Sequence, residues 1–250
     1  MTRSLKKIAL TVSIGTLISK IGGLARQLVI AGAFGVGNAF DAYNYAYIIP
    51  GFFLILLGGI NGPFHNAMVS VLTKKESREG SIIFSNVSSI SFLLLSGISL
   101  LIILFSDSII NIVGPGLTPE VQSIAVIQLR IMAPIALVGG LIGLGFGTLN
   151  AKNEFFIPSI SPVVSSIILI IIVGSFWLHA SEYSNTAETS YRGGIILAVA
   201  TLIGAFSQYL VQLPKLRKKG LPVFKYSFNL KNKDVQEVFR ILIPATLSTG

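Results

Sequence analysis

Lys20 and Arg26 interrupt one long apolar run, Ile8 to Phe34, and Arg130 interrupts another, Ser123 to Leu149. A cation at the centre of a bilayer costs at least about 2.5 to 3.5 kcal/mol, so each needs a cavity, a partner or a route to the interface. Cations fixed in a cavity hold anions, Arg through a bidentate fork and Lys as a point charge. On a helix, Ser13, Thr16, Lys20, Gly23 and Gln27 fall on one stripe and Ser19, Gly22 and Arg26 on a second beside it, which predicts a wet side. The Gly22-Gly23 pair weakens the helix by roughly 1 kcal/mol per glycine relative to Ala and allows a bend between the two charges. Asp41, opening the next apolar run, reads either as a helix N-cap or as a counter-charge or proton carrier facing Arg26. Within GGINGPFHNA (58–67), the glycines and Pro63 predict a broken helix, and broken helices at membrane depth line water or lie buried in protein. Asn61 and His65 in that break are candidate ligand contacts, His65 reading equally as a hydrogen-bonded core histidine. Arg130, in the first third of its run, is a candidate outer-gate residue or a snorkelling one.

The elements that must position these residues are membrane spans. Charged residues are 12 % of the 250, about half the globular share of roughly 25 %, and 52 % are hydrophobic, which excludes a soluble domain of this size. Runs long enough for about 20 helical residues recur at Ile8 to Phe34, Tyr43 to Leu72, Ile82 to Phe105, Ser123 to Leu149, Ile157 to Leu178 and Gly193 to Leu213. The expected fold is therefore an all-α polytopic membrane bundle with six complete transmembrane helices. A seventh run begins around Val238 and reaches only Gly250, so the chain is expected to be truncated. The expected organisation is a six-helix lobe over 1–213, a basic cytoplasmic loop over 214–236 and the start of a seventh helix over 237–250. The first run is too long, and too interrupted by charge, for a cleaved signal peptide. Gly139, Gly143 and Gly147, spaced by four, predict close approach of a neighbouring helix.

Net charge is +9, but its distribution reports topology. Fourteen basic residues lie before span one and after spans two, four and six, against Arg192 alone in the other connections, which predicts a cytoplasmic N-terminus in a bacterial inner membrane. LPKLRKKG (213–220) is accordingly read as a topology signal, with contact to anionic lipid the minor reading and nucleic acid set aside. There is no cysteine and only His65 and His179, so thiol chemistry is excluded and a histidine-built metal site is not expected. No nucleophile elbow, His-Glu-x-x-His or Walker A pattern occurs, and the expectation is a transporter rather than an enzyme, without cofactor or metal. A cationic cavity in such a chain implies an anionic ligand moved by alternating access between two halves.

TLISKIGGLARQLVIAGAFGVGNAFDAYNYAYIIP (16–50), GTLNAKNEFFIPSISPVV (147–164) and QLPKLRKKG (212–220) resemble, in order and spacing, the opening half of the MurJ (MviN) lipid II flippases of the multidrug/oligosaccharidyl-lipid/polysaccharide exporter superfamily. The resemblance implies about fourteen spans in two lobes around a central cavity, with this chain as the N-terminal lobe and its partner lobe missing. It also implies outward movement of undecaprenyl-pyrophosphate-linked peptidoglycan precursor, lipid II, for cell-wall synthesis, with the cell-wall machinery as possible partners. The family's functional Ser-Arg pair, Arg-Asp pair and Asp correspond by position to Ser19 and Lys20, Arg26 and Gln27, and Asp41. Lys20 keeps the sign but loses the fork, and Gln27 stands where the family carries an acid. The family's two adjacent arginines and a glutamate in span two are absent from GFFLILLGGINGPF (51–64), leaving Asn61 and His65 as the assisting groups.

Three other readings stand beside the flippase for lipid II. A flippase for another polyprenyl-linked glycan, an O-antigen or capsule unit, would share the basic cavity. A cation-coupled drug antiporter would need acids in this lobe, where Asp41 is the one candidate. A non-transporting scaffold of a cell-wall complex would tolerate loss of Lys20 and Arg26.

Overall fold

A computed structural model describes residues 5–60, 62–180, 187–223 and 226–249. Among these all regular structure is helical. Helix α1 (Leu5–Phe34) is continuous, and α2 (Asn38–Gly58) and α3 (Pro63–Leu72) together make the second span, broken at the expected glycine cluster. Pro63 at the start of α3 lacks only an N–H that the first turn would leave unsatisfied, so the break costs the new helix nothing there. The third span, α4 (Ser77–Leu104), is followed by a short α5 (Ser106–Val113) that turns the chain back into α6 (Pro119–Met132). The fourth span is also split, α6 giving way at Ala133 and Pro134 to α7 (Ile135–Ala151), a break not expected from the apolar pattern. Helices α8 (Phe156–Ala180) and α9 (Ala187–Leu210) complete six spans long and apolar enough to cross a membrane. Beyond them lie α10 (Leu213–Lys218) and α11 (Lys233–Thr249). The segment expected as a basic loop thus holds a short helix, and α11 opens before the expected start of the seventh span.

Two apolar cores form along the bundle. One joins α2, α6, α7, α8 and α9 through residues such as Tyr43, Leu129, Phe146, Leu169 and Leu197; the other joins α3, α4, α7 and α11 through Phe64, Met68, Phe84, Leu144 and Val238. Helix α7 belongs to both and is the spine of the lobe. Lipid is as apolar as these side chains, so association here rests on close packing by small residues. The α7 glycines supply it as expected: a Cβ on Gly139 would meet Leu54 Cα and Phe53 O, one on Gly143 would meet Leu57 O, and one on Gly147 would meet His65 O.

The linker is tied down. Lys215 pairs with the buried Glu154 at 2.7 Å, Lys219 donates to the Lys152 carbonyl at 3.1 Å, and Lys75 pairs with Asp234 at 2.9 Å. The Asp234 carboxylate, accepting a hydrogen bond from Lys75, pushes that ammonium above the usual lysine value. Ser227 donates from its backbone to Ser89 Oγ and from its hydroxyl to Asn86 Oδ1, which also accepts the Asn229 N–H.

Candidate functional site

The two polar stripes of α1 have different fates. Gly15 lies against Ser159, Gly22 against Val163 and Gly32 against Trp177, so α1 and α8 run parallel in a constant register with small residues at the contact. Ser19 stands on this seam and donates to the Ser159 carbonyl at 2.7 Å, fastening α1 to α8. The other stripe looks away: Ser13, Lys20 and Gln27 are exposed and nothing approaches Gly23 within 4 Å. The helix is continuous through Gly22-Gly23, and the approach of Val163 leaves no room for a side chain at Gly22.

That register sets Lys20 and Arg26 on either side of the middle of α8, about 9 Å apart along the axis at 1.5 Å per residue. Arg26 is half-buried and its Nε is buried without a hydrogen-bond partner. Its guanidinium lies within electrostatic reach of the Tyr43 and Tyr47 phenols of α2. These two rings stack at 5.3 Å, Tyr43 stacks further on Phe40, and the Tyr43 hydroxyl is 3.2 Å from Thr201 Oγ1 of α9. The phenols were not among the residues singled out in the sequence, although the i, i+4 spacing in DAYNYAY places them on one face.

Among the described residues neither Lys20 nor Arg26 forms an ion pair, and Asp41 forms none with Arg26. The N-cap of α2 is Gly37, so Asp41 is not the cap; it lies exposed in the first turn, where a carboxylate complements the helix dipole. Depth explains the missing pair. Asp41 sits at the very start of α2 while Arg26 lies two turns below the end of α1, level with the tyrosines instead.

The remaining candidates lie elsewhere. Arg130 donates from Nε to Ser106 Oγ at 2.7 Å and pairs through Nη2 with Asp107, so it holds α6 to α5. His65 is buried at the start of α3, with Nδ1 3.1 Å from Asn66 Oδ1 and Nε2 2.7 Å from Asn150 Nδ2. The Asn150 amide donates to Nε2, which places the proton of a neutral ring on Nδ1, facing Asn66. His65 therefore joins α3 to α7. Asn61 lies outside the described residues.

Two cations six residues apart on α1, neither in an ion pair among the described residues, can receive an anion. The family model described as "Lipid II flippase MurJ" matches residues 30–250. The chain belongs to the MurJ family. A probable lipid II flippase MurJ of Synechocystis sp. is 46 % identical over the whole chain, which covers 47 % of that protein. The lipid II flippase MurJ of Burkholderia cenocepacia is 29 % identical over 99 % of the chain and 47 % of its own length. A solved MurJ structure in an inward closed conformation superposes with TM-score 0.73 at 26 % identity, covering 96 % of this chain and 47 % of that one. An outward-facing MATE-family transporter of the MOP superfamily shares the fold at TM-score 0.72 and 16 % identity. This MurJ chain spans about half the length of the curated relatives it matches, and its six spans share the fold of the solved MurJ structure.

Proposed function

We propose that this chain is the N-terminal half of a lipid II flippase, which moves undecaprenyl-pyrophosphate-linked peptidoglycan precursor to the outer leaflet by alternating access, a transport step without catalytic chemistry. The observation that supports it is the pair Lys20 and Arg26, set on either side of the middle of α8 without an acid partner among the described residues. Two unneutralised cations there are expensive unless an anion visits them. A pyrophosphate carries the complementary charge, and the Arg26 fork can hold two of its oxygens while Lys20 acts as a point charge. The Tyr43 and Tyr47 phenols, deeper than Asp41, add donors on the facing helix. Asp41 tunes the charge at the mouth, Ser19 fixes the height of Lys20 through α8, and His65 ties α3 to α7 beside the break in the second span. Arg130, with Asp107, braces the outer end.

The excess of basic residues at one end supports a cytoplasmic N-terminus in the bacterial inner membrane, with 1–213 as the lobe, 214–236 as the cytoplasmic linker and 237–250 as the start of the seventh span. The polyprenyl tail stays in the bilayer while sugar and peptide cross between this lobe and the C-terminal one, so both halves are needed. Components of cell-wall synthesis are the partners that would deliver and take up the substrate.

The test is complementation by the full-length parent in cells depleted of their own lipid II flippase, scoring outward-exposed lipid II. Wild type rescues, whereas Lys20→Ala and Arg26→Ala insert normally and fail. Rescue by both variants overturns the assigned site. A well-inserted wild type that fails moves the substrate to another polyprenyl-linked glycan.

A further inference from the structure

The second span is broken between α2 and α3, so α3 is kept in the lobe chiefly by its packing on α7 and α11. The contact with α7 is tightest at one point. A Cβ on Gly147 would meet the Cα and carbonyl oxygen of His65, and one turn further along α7 Asn150 meets the imidazole itself. The buried ring lies between two side-chain amides, Nδ1 3.1 Å from Asn66 Oδ1 and Nε2 2.7 Å from Asn150 Nδ2, and Asn150 Oδ1 is buried without a hydrogen-bond partner among the described residues. A neutral ring accepts at Nε2 from the Asn150 amide; half a turn of that amide exchanges the donor for the acceptor that now has no partner. An imidazolium, with a proton on each nitrogen, requires acceptors on both sides, and the turned amide with Asn66 Oδ1 supplies them. A ligand that offered only a donor, or only an apolar surface, would hold the ring in one state; an amide serves both.

The surroundings leave the charge of the ring to these two amides. Helix α7 carries no ionisable side chain, and α3 carries none besides His65. On α11, Lys233, Glu237 and Arg240 are exposed and Asp234 is held by Lys75, while Val235 and Val238 enter the core shared with α3. The ionisable residues of α2, Asp41 and three tyrosines, lie in its first half, away from the break. Just past α7, Lys152 reaches over Gly80 of α4, and Glu154 is paired with Lys215. The negative end of the α7 dipole, at Asn150, offsets the positive start of α3. We propose that His65 is a proton-binding site that locks α3 onto α7. One proton from water, entering beside the exposed Asn66, turns the imidazole into an imidazolium whose Nδ1–H donates to Asn66 and whose Nε2–H donates to the turned Asn150 Oδ1. Hydrogen bonds from a charged donor are stronger than those of the neutral ring, so the protonated lobe grips α3 and loss of the proton frees the part of the second span beyond the break. The site does not depend on which substrate is flipped.

The experiment uses the substrate-free, full-length parent in lipid bilayers with nitrogen-15 in its histidine rings, followed by solid-state NMR from about pH 8 to about pH 5, and His65→Gln assigns the signal. The wild-type ring should show one bare and one protonated nitrogen at the upper end and two protonated nitrogens at the lower. Asn150→Leu, close in volume but without an acceptor, should keep the ring neutral throughout. Asn150→Asp, which presents a carboxylate oxygen permanently, should give the doubly protonated ring already at the upper end. Hydrogen exchange of the α3 amides, corrected for its intrinsic pH dependence, should slow about tenfold on protonation in wild type and stay level in His65→Gln. A wild-type ring that stays neutral to the lowest pH, or one that takes up its proton alike in wild type and both Asn150 variants, overturns the proposal. So does a slowing of α3 exchange that survives in His65→Gln. Because no substrate is present, failure of the flippase reading leaves each of these outcomes unchanged.

Discussion

Helix α1 and the α6–α7 pair are both apolar enough to span a bilayer, yet only 6 % of the most apolar stretch of α1 is buried against 67 % of that of α6–α7. The same contrast runs through their charges. Arg130 on α6 is matched by Asp107 and Ser106, whereas Lys20 and Arg26 on α1 have no acid among the described residues. It runs through the glycines too, since Gly139, Gly143 and Gly147 of α7 are filled by backbone of α2 and α3 while Gly23 of α1 faces open space. A spine that is over-determined by packing can carry one helix that is not, and that thinly packed helix is where polar groups can be exchanged with a ligand. On the proposed function, the charges on α1 serve binding, while the paired charge of Arg130 on the spine serves assembly.

The comparison breaks most sharply at Arg26. Replacing it with Gln removes charge-assisted contacts worth about 3 kcal/mol, so pyrophosphate-lipid binding by the full-length parent should fall roughly a hundredfold. Thermal stability in detergent should hold or rise, because a buried Nε without a partner disappears. A stability loss equal to the binding loss would show that Arg26 is a structural residue like Arg130.

The glycines separate the two regions by stability alone. Gly143→Ala drives a methyl against the Leu57 carbonyl, where backbone must move, and should destabilise by about 2 to 3 kcal/mol. Gly23→Ala meets nothing within 4 Å and gains helix propensity, up to about 1 kcal/mol of stabilisation. Thermal unfolding of the two variants side by side should move in opposite directions. If Gly23→Ala instead slows flipping with unchanged stability, α1 must flex there during transport.

The spine was only partly legible in the sequence. The glycine spacing in α7 and the cluster before Pro63 announced themselves because steric demands leave a local mark. The split at Ala133-Pro134 was passed over because the run from Ile131 to Leu137 is apolar throughout, although Pro134 is itself the local mark of a break. Ser19 and Ser159 are 140 residues apart, and no local pattern says that one hydroxyl will be satisfied across the seam rather than offered to a ligand. Asp41 was readable as a helix-start residue but not as lying at a different depth from Arg26, which depends on how α1 and α2 are staggered. Tyr43 and Tyr47 were overlooked because aromatic residues in a span ordinarily face lipid or core, and only the position of α1 makes them neighbours of a cation.

Arg130→Gln gives a smaller effect and tests the other half of the contrast. Its partner Asp107 is largely exposed, so the pair contributes about 0.2 to 1 kcal/mol. The variant should melt slightly earlier and flip at the wild-type rate. A transport defect at full stability would make the α5–α6 brace an outer gate.

The smallest effect belongs to the linker, where Lys75 is held by Asp234. Because the folded-state value of Lys75 lies above its ordinary 10.5, the contact's contribution is fully present below that value and is lost as pH rises through the raised one. The stability difference between wild type and Asp234→Asn should therefore be constant from neutral pH to about 9 and shrink towards zero in the alkaline range. The exposed position of Glu79, also near Lys75, keeps part of the attraction when Asp234 is neutralised, so the difference is small throughout. A difference that grew with pH would mean that Asp234 acts on α11 through its position at the helix start rather than through Lys75. The linker's junction with α11 would then be set by α11's own first turn, while Glu154, the Lys152 carbonyl, Asn86 and Ser89 still hold the rest of it.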